Sequence, residues 1–283
     1  MRQDARFPAT SIRPWRQGYD ASLRAILEES HLHCEVPPLS AHRSGTSPVP
    51  RRKPDVKSSP RSPNPRSPES MRAFYDRFQP FYGLVERSMA RGLAEIVSSL
   101  DPGGDRFSAD EVHEWAAGSA SLGLLLAPRV ARYRGFDQSE GMLGRARRRW
   151  EAASWPGKAA YPEPPLSRES ILDAVQRTRA GENGPGEKGP DRDWLFISFA
   201  LHLFSPADEE GILAAAIGGS RKGAIIVDHS QRPSLGIRIA EFFEGSHYED
   251  YIRIDFSAMA ERLAVSLRVS NAGGSLVMEF MKP

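Results

Sequence analysis

The sequence predicts an α/β fold: a doubly wound, mostly parallel sheet that finishes in an antiparallel hairpin. Three observations carry that prediction. The block VHEWAAGSASLGLLLAPRV (112–130) runs directly into ARYRGFDQSEGMLGRARRRW (131–150). It reads as a strand, a small-residue turn, a helix, a second strand ending in an acid, and a second helix. Two near-continuous apolar runs, Trp194 to Phe199 and Ala224 to Val227, have the character of strands covered by helices on both faces. Near the carboxyl end, Leu267 to Val269 and Leu276 to Phe280 flank Asn271-Ala272-Gly273-Gly274, as two strands flank a turn.

Taken in order, the elements begin after a segment with no capacity to fold. Residues 37 to 68 hold nine of the 23 prolines and seven serines, ending in SSPRSPNPRSPES. Such a composition buries too little apolar surface to offset its ordering entropy. Residues 1–70 are therefore expected to be a disordered Pro/Ser/Arg-rich extension with one short helix around 21–29, and 71–283 the folded domain. Phe74 to Leu100 has helical period, interrupted at Pro80 and stopped by Asp101-Pro102-Gly103-Gly104. The segment FSADEVHEW (107–115) must supply the first strand, yet carries more acids than a strand buried on both faces should.

Helices over 121–127 and 140–151 follow. Between Asp137 and Trp194 no third strand announces itself, and the stretch includes the Gly/Pro-rich GENGPGEKGPDRD. Asp173, in SILDAV, is the best candidate for an acid closing that strand. A helix over 207–217 joins the two apolar strands, and another over 257–263 precedes the hairpin.

Composition narrows the function classes. A formal net charge of +2 gives no field that calls for nucleic acid. No apolar run approaches the ~18 residues of a membrane helix, and MRQDARFPATSIRPWRQG lacks the apolar centre of a secretory signal. Cys34 is the only cysteine, which excludes an internal disulfide and a cysteine-based zinc cluster and suits a reducing, cytoplasmic setting.

The chemistry concentrates around the first turn. In nucleotide-binding α/β units a small-residue turn lets backbone amides at a helix N-terminus approach a ligand, and an acid ending the next strand accepts from ribose hydroxyls. Glu114 and Asp137, 23 residues apart, are those acids, and Ala116, Gly118 and Ala120 hold the alternating small positions. Both acids also admit the plainer reading of solvated strand ends.

At this point a family resemblance is visible. GSASLGLLLAPRVARYRGFDQSEGMLGRAR (118–147) resembles the motif I and post-I region of class I S-adenosylmethionine-dependent methyltransferases, of the small-molecule type that includes the ubiquinone and menaquinone enzymes. MRAFYDRFQPFYGLVERSMARGL (71–93) is similar to their cofactor-capping helix. DWLFISFALHLFSPADEEGILAAAIGGSRKGAIIVDHS (193–230) is similar to their fourth strand, helix and fifth strand. The resemblance implies a Rossmann-like seven-stranded sheet in which strand seven lies between five and six. It implies S-adenosylmethionine as cofactor and a small-molecule methyl acceptor. It places Tyr75, Tyr82, Glu114, Ala116, Gly118, Ala120, Asp137, Gln138, Met142, Asp173 and Phe199 at the cofactor. Tyr75 and Tyr82, seven residues apart on one helical face, and Met142 read equally well as core packing.

One departure stands out. The family's loop reads E-x-G-x-G-x-G, whereas this chain has Glu114-Trp115-Ala116-Ala117-Gly118-Ser119-Ala120, with one glycine of three. A methyl group where backbone meets ligand, or where φ is positive, costs on the order of 1 kcal/mol, so weakened cofactor affinity is expected. This motivates an alternative function, a catalytically inactive methyltransferase-like binding or regulatory domain. A nicotinamide-dependent oxidoreductase shares Asp137 but explains neither the late hairpin nor the missing GxGxxG.

The candidate catalytic residues are His202, His229, His247 and Tyr248. His202 closes ISFALHLF at the carboxyl end of a strand, where open α/β sheets bind ligands, and reads either as a general base or as structural. His229 in IIVDHS, and His247 with Tyr248 in EGSHYEDY, belong to segments that fold over the same face. Without paired i, i+4 spacing the three histidines do not predict a metal site. Arg232 and Arg238 read as anion-binding or surface residues, the latter being the simpler expectation.

Overall fold

A seven-stranded sheet in the order β3-β2-β1-β4-β5-β7-β6 organises the domain. The structure is a computed structural model and describes residues 67–283 apart from 79–81, 156–160, 162, 182–191 and 232–234. The expected extension up to residue 66, its helix at 21–29, Pro80, most of the Gly/Pro-rich segment and Arg232 lie outside the described residues. The strands are β1 (Glu111–Trp115), β2 (Arg132–Asp137), β3 (Leu166–Arg168), β4 (Arg192–Ser198), β5 (Ser220–His229), β6 (Ser266–Ala272) and β7 (Ser275–Met281). Strands β1 to β5 pair in parallel, and β7 runs antiparallel to both β5 and β6.

The described helices are α1 (Pro68–Phe78), α2 (Tyr82–Leu100), α3 (Gly123–Leu126), α4 (Glu140–Ala152), α5 (Ile171–Arg179), α6 (Pro206–Gly218), α7 (Leu235–Glu244), α8 (Tyr248–Tyr251) and α9 (Phe256–Arg262). Helix α1 begins at Pro68, inside the stretch expected to be extension. None of these helices is long and apolar enough to cross a membrane.

Strand alternation sends side chains into two separate cores. Leu195 and Ile197 of β4, with Ala224 and Ile226 of β5, pack against Val175 of α5, Leu213 of α6 and Met259 of α9. Trp194 and Phe196, with Ile225 and Val227, pack against Ile96 of α2, Leu126 of α3 and Trp150 of α4. Burying both faces is why these runs lack a polar side. Helix starts follow local chemistry: Ser139, Ser170 and Ser205 cap α4, α5 and α6 by accepting from the amides of Met142, Asp173 and Asp208.

Two sequence expectations are corrected here. The acid-rich segment is a central strand, because its buried acids have donors: Asp110 accepts from Trp194 Nε1 at 2.9 Å and from Lys222, and Glu114 accepts from Tyr133 Oη at 2.6 Å and from Ser198. A buried polar group is tolerated when it is hydrogen-bonded. The third strand exists, but as the three-residue edge strand β3, and Asp173 sits beyond it in the first turn of α5. The hairpin turns at Gly273-Gly274, both with positive φ (56° and 78°), as a tight two-residue turn requires.

Candidate active site

The parallel strands β1, β2 and β4 end on one side of a cleft of about 1100 Å³, solvent at its mouth included. From β1 the chain winds outward through β2 to β3, then returns to β4 and winds the other way. The crevice between β1 and β4 is thus the topological switch point where open sheets bind ligands. Tyr75, Tyr82, Ala116, Gly118, Asp137, Gln138, Met142, Phe199 and His247 all line the cleft.

The loop after β1 supplies its backbone. Ala116, Gly118 and Ala120 have φ of 55°, 55° and 58°, so three left-handed residues alternate through the turn. Left-handed alanine is strained, and Phe199, at φ 49°, is a second strained residue on the cleft wall. The Ala117 amide donates to Phe136 O at 2.9 Å, which holds the loop against β2. A side chain at Gly118 would meet the Met142 methyl at 3.4 Å, so Met142 packs directly behind the loop. Ala120 is fully buried in the core and does not reach the cleft, contrary to expectation.

Asp137 closes β2 beside this loop. Its Oδ2 accepts from the Gly118 amide and its Oδ1 from the Ser139 amide, both at 2.8 Å. Burial lifts its carboxyl from the usual carboxylate range to about 6, against the pull of those two amides. Each oxygen keeps a second lone pair with which to accept from a ligand hydroxyl.

Glu114 is placed differently from its expected role. It is fully buried behind the cleft, its oxygens taken by Tyr133 and Ser198, and burial raises its carboxyl to about 7. It ties β1 to Tyr133 of β2 and to Ser198 at the end of β4. Asp173 is not among the residues that line the cleft either. The acid that lines the cleft after β3 is Glu169, paired with Arg177 at 2.6 Å and next to Ser170, Ile171 and Leu172. Sequence reading passed over Glu169 because a strand of three residues shows no periodicity. The SRES run, with a serine cap ahead of ILDAV, was the available signal.

The N-terminal helices are fastened to this floor. Asp76 of α1 accepts from Ser139 Oγ at 2.6 Å and from the Gly141 amide at 3.1 Å, at the start of α4. Tyr75 donates to Glu244 of α7. Glu86 of α2 pairs with Arg145 and Arg149 of α4, and Arg149 donates onward to Ser119 O and to Ser121 Oγ in the loop. Tyr75 and Tyr82 meet edge to face at 6.4 Å on the cleft wall, but from two helices, α1 and α2, rather than from one face of a single helix.

Among the candidate catalytic residues, His247 alone faces the cleft; His202, His229 and Tyr248 form a layer beyond it. His202 Nδ1 lies 2.6 Å from Asp228 Oδ1 and its Nε2 3.3 Å from Glu241. Burial alone would depress this imidazole, but Asp228 and Glu241 outweigh it and raise it to about 10. With Nδ1 against Asp228 and Nε2 against Glu241, His202 is held behind the cleft wall and is not placed to take a proton from a molecule in the cleft. His229 contacts the Phe199 ring at 5.3 Å and Glu241 at 3.2 Å, and Tyr248 donates to Ser230 O at 2.7 Å. Arg238 pairs with Glu249 at 2.6 Å on the surface.

No protein-family model and no curated protein sequence matches the chain. Its fold is similar to that of an S-adenosylmethionine-dependent methyltransferase from Thermotoga maritima, described as a possible histamine N-methyltransferase. That match has 14% identity and a TM-score of 0.50, over 75% of this chain and 100% of that one. It is also similar to an O-methyltransferase family 2 protein from Planctomyces limnophilus DSM 3776 in complex with apigenin. There the identity is 14% and the TM-score 0.51, over 74% of this chain and 62% of that one. The likeness establishes the fold, and the sheet order itself sets β7 between β5 and β6.

Proposed function

Starting from a class I methyltransferase fold, we propose that this protein is an S-adenosylmethionine-dependent methyltransferase acting on a small molecule, with residues 71–283 as its catalytic domain. A cytoplasmic setting suits its single cysteine. The observation that carries the reading is Asp137, held at the end of β2 by the Gly118 and Ser139 amides and facing the cleft.

The residues present fit the cofactor. Asp137 would accept from the ribose hydroxyls, and the left-handed backbone at Ala116 and Gly118 leaves room for close approach. Met142, Ile171 and Leu172 offer apolar lining for a flat ring, with Glu169 as the polar group beside it. Tyr75 and Tyr82 would shield the cofactor from α1 and α2.

Bound, the cofactor supplies a methyl group already made electrophilic by the sulfonium. The protein then needs to exclude water and hold the acceptor in line. A base is required only where the acceptor must lose a proton, and His247 is the imidazole on the cleft wall for that task. The apigenin complex of the Planctomyces protein supports a small aromatic or heteroaromatic acceptor here, alongside Phe199, Phe204 and Leu203 of the cleft.

Calorimetric titration of the full chain with S-adenosylmethionine and S-adenosylhomocysteine tests this. Binding by the wild type that is lost in Asp137→Ala supports a live cofactor site. Strained alanines at 116 and 120 favour the second reading, an inactive binding domain. That reading is upheld if wild type fails to bind and Ala116→Gly/Ala120→Gly restores binding.

A further inference from the structure

We propose that His202, His229, Glu241 and Glu244 form a binding site for a divalent first-row transition-metal ion, with Asp228 orienting His202 from behind. The inference does not depend on methyl transfer.

Three elements bring the donors together. His202 lies on the short helical turn after β4, His229 ends β5, and Glu241 and Glu244 are one turn apart on α7. Glu241 stands between the imidazoles, with Oε2 3.3 Å from His202 Nε2 and Oε1 3.2 Å from His229 Nε2. Ligand atoms of His202, Glu241 and Glu244 lie within 4.8 Å of one another, and those of His202, Asp228 and His229 do the same. The two triads share His202, and Glu241 links His202 to His229, so an ion about 2.0–2.2 Å from each donor would draw the four side chains inward around it.

The surrounding contacts are those of a built site rather than of a surface acid cluster. Asp228 is fully buried and accepts from the Leu201, His202 and His229 amides at 3.0, 3.3 and 2.7 Å, so it cannot swing away from His202 Nδ1. A carboxylate fixing one imidazole nitrogen leaves the other directed at a metal. Ser246 Oγ donates to Glu241 at 2.7 Å, and Tyr75 donates to Glu244. Three carboxylates around two imidazoles make a region of concentrated negative charge in which a dication is favoured.

Two imidazoles with two carboxylates suit manganese, iron, cobalt, nickel or zinc rather than magnesium or calcium. His229 is 24% exposed, and its ring lies against that of Phe199, a cleft residue.

The full chain, stripped with a chelator, would be titrated with Co²⁺ and followed by its visible d–d absorption, with Zn²⁺ as competitor. One Co²⁺ per chain, displaced by Zn²⁺, is expected. His229→Gln should weaken uptake at least about tenfold, as should Asp228→Asn through the outer contact. Glu249→Gln, on the surface, should leave it unchanged. Because Asp228 is buried and that variant is at risk of misfolding, the partly exposed His229→Gln decides the matter, with its melting temperature in metal-free buffer confirming the fold. No stoichiometric uptake by wild type, or uptake unchanged in His229→Gln, overturns the assignment. Either result stands apart from the cofactor titration, since metal alone is read.

Discussion

Tyr75 of α1 donates its hydroxyl to Glu244 of α7, joining the N-terminal helix to the segment that follows the parallel sheet. Both residues are half-buried, and burial raises the Tyr75 phenol well above its ordinary range. Tyr75→Phe should therefore lower stability by about 1–3 kcal/mol, the cost of leaving a half-buried acceptor without its donor. Urea unfolding measures this. The same variant should bind S-adenosylhomocysteine several-fold more weakly, because α1 then loses its tie to α7 while keeping the Asp76 contacts to α4.

Cofactor affinity should depend on acid. The Asp137 carboxyl is lifted by burial to about 6, and only its ionised form accepts from two hydroxyls at full strength. Affinity should be constant above that value and fall as the pH drops through it. Titrations with S-adenosylhomocysteine at pH 5 and 8 would show it, and equal affinities would remove Asp137 from the site.

The two strained alanines should respond differently to glycine. Ala116→Gly relieves left-handed strain at the cleft wall, with an expected gain of about 1 kcal/mol. Ala120 is fully buried, so the lost methyl burial, about 0.8 kcal/mol, offsets the relief and the change should be near zero. Urea midpoints of the two single variants separate these outcomes.

Glu209, in the first turn of α6, is completely buried, and neither carboxylate oxygen has a hydrogen-bond partner among the described residues. Burial, and then Asp228, raise its carboxyl to about 8 from an unfolded value of 4.5. Between those values the unfolded chain is ionised and the folded one is not. Its contribution therefore falls as pH rises through that window. Glu209→Gln should remove this decline, so that its melting temperature gains on wild type between pH 5 and 8. Parallel curves for the two proteins would contradict the assignment.

Much of this architecture was legible because its signals are dense. Trp194 to Phe199 and Ala224 to Val227 had to be strands of a sheet covered on both faces, and Gly273-Gly274 had to be a turn. The acids of β1 argued against a strand only because their partners are remote: Asp110 finds Trp194 and Lys222, 84 and 112 residues away. Such pairings have no local signature. In the site, Asp137 and Gly118 were legible from spacing, since one strand and one turn carry them, and Met142 only through the family resemblance. Glu114 matched the pattern yet turned beneath the loop, where Tyr133 and Ser198 hold it, and Glu169 was hidden behind a three-residue strand. The meeting of His202 and His229 with Glu241 required the fold itself, because no regular spacing joins the three elements that bring them together.

The position of β7 bears on how the protein is made. Strand β7 is buried along Ser275–Phe280 and lies inside the sheet, although it is the last strand in the sequence. A ribosome-bound chain that has not yet delivered these residues exposes the unpaired edges of both β5 and β6, which are ready templates for intermolecular pairing. The sheet is therefore complete only once β7 has been delivered, and a truncation before Ser275 should yield an aggregating product rather than a smaller domain.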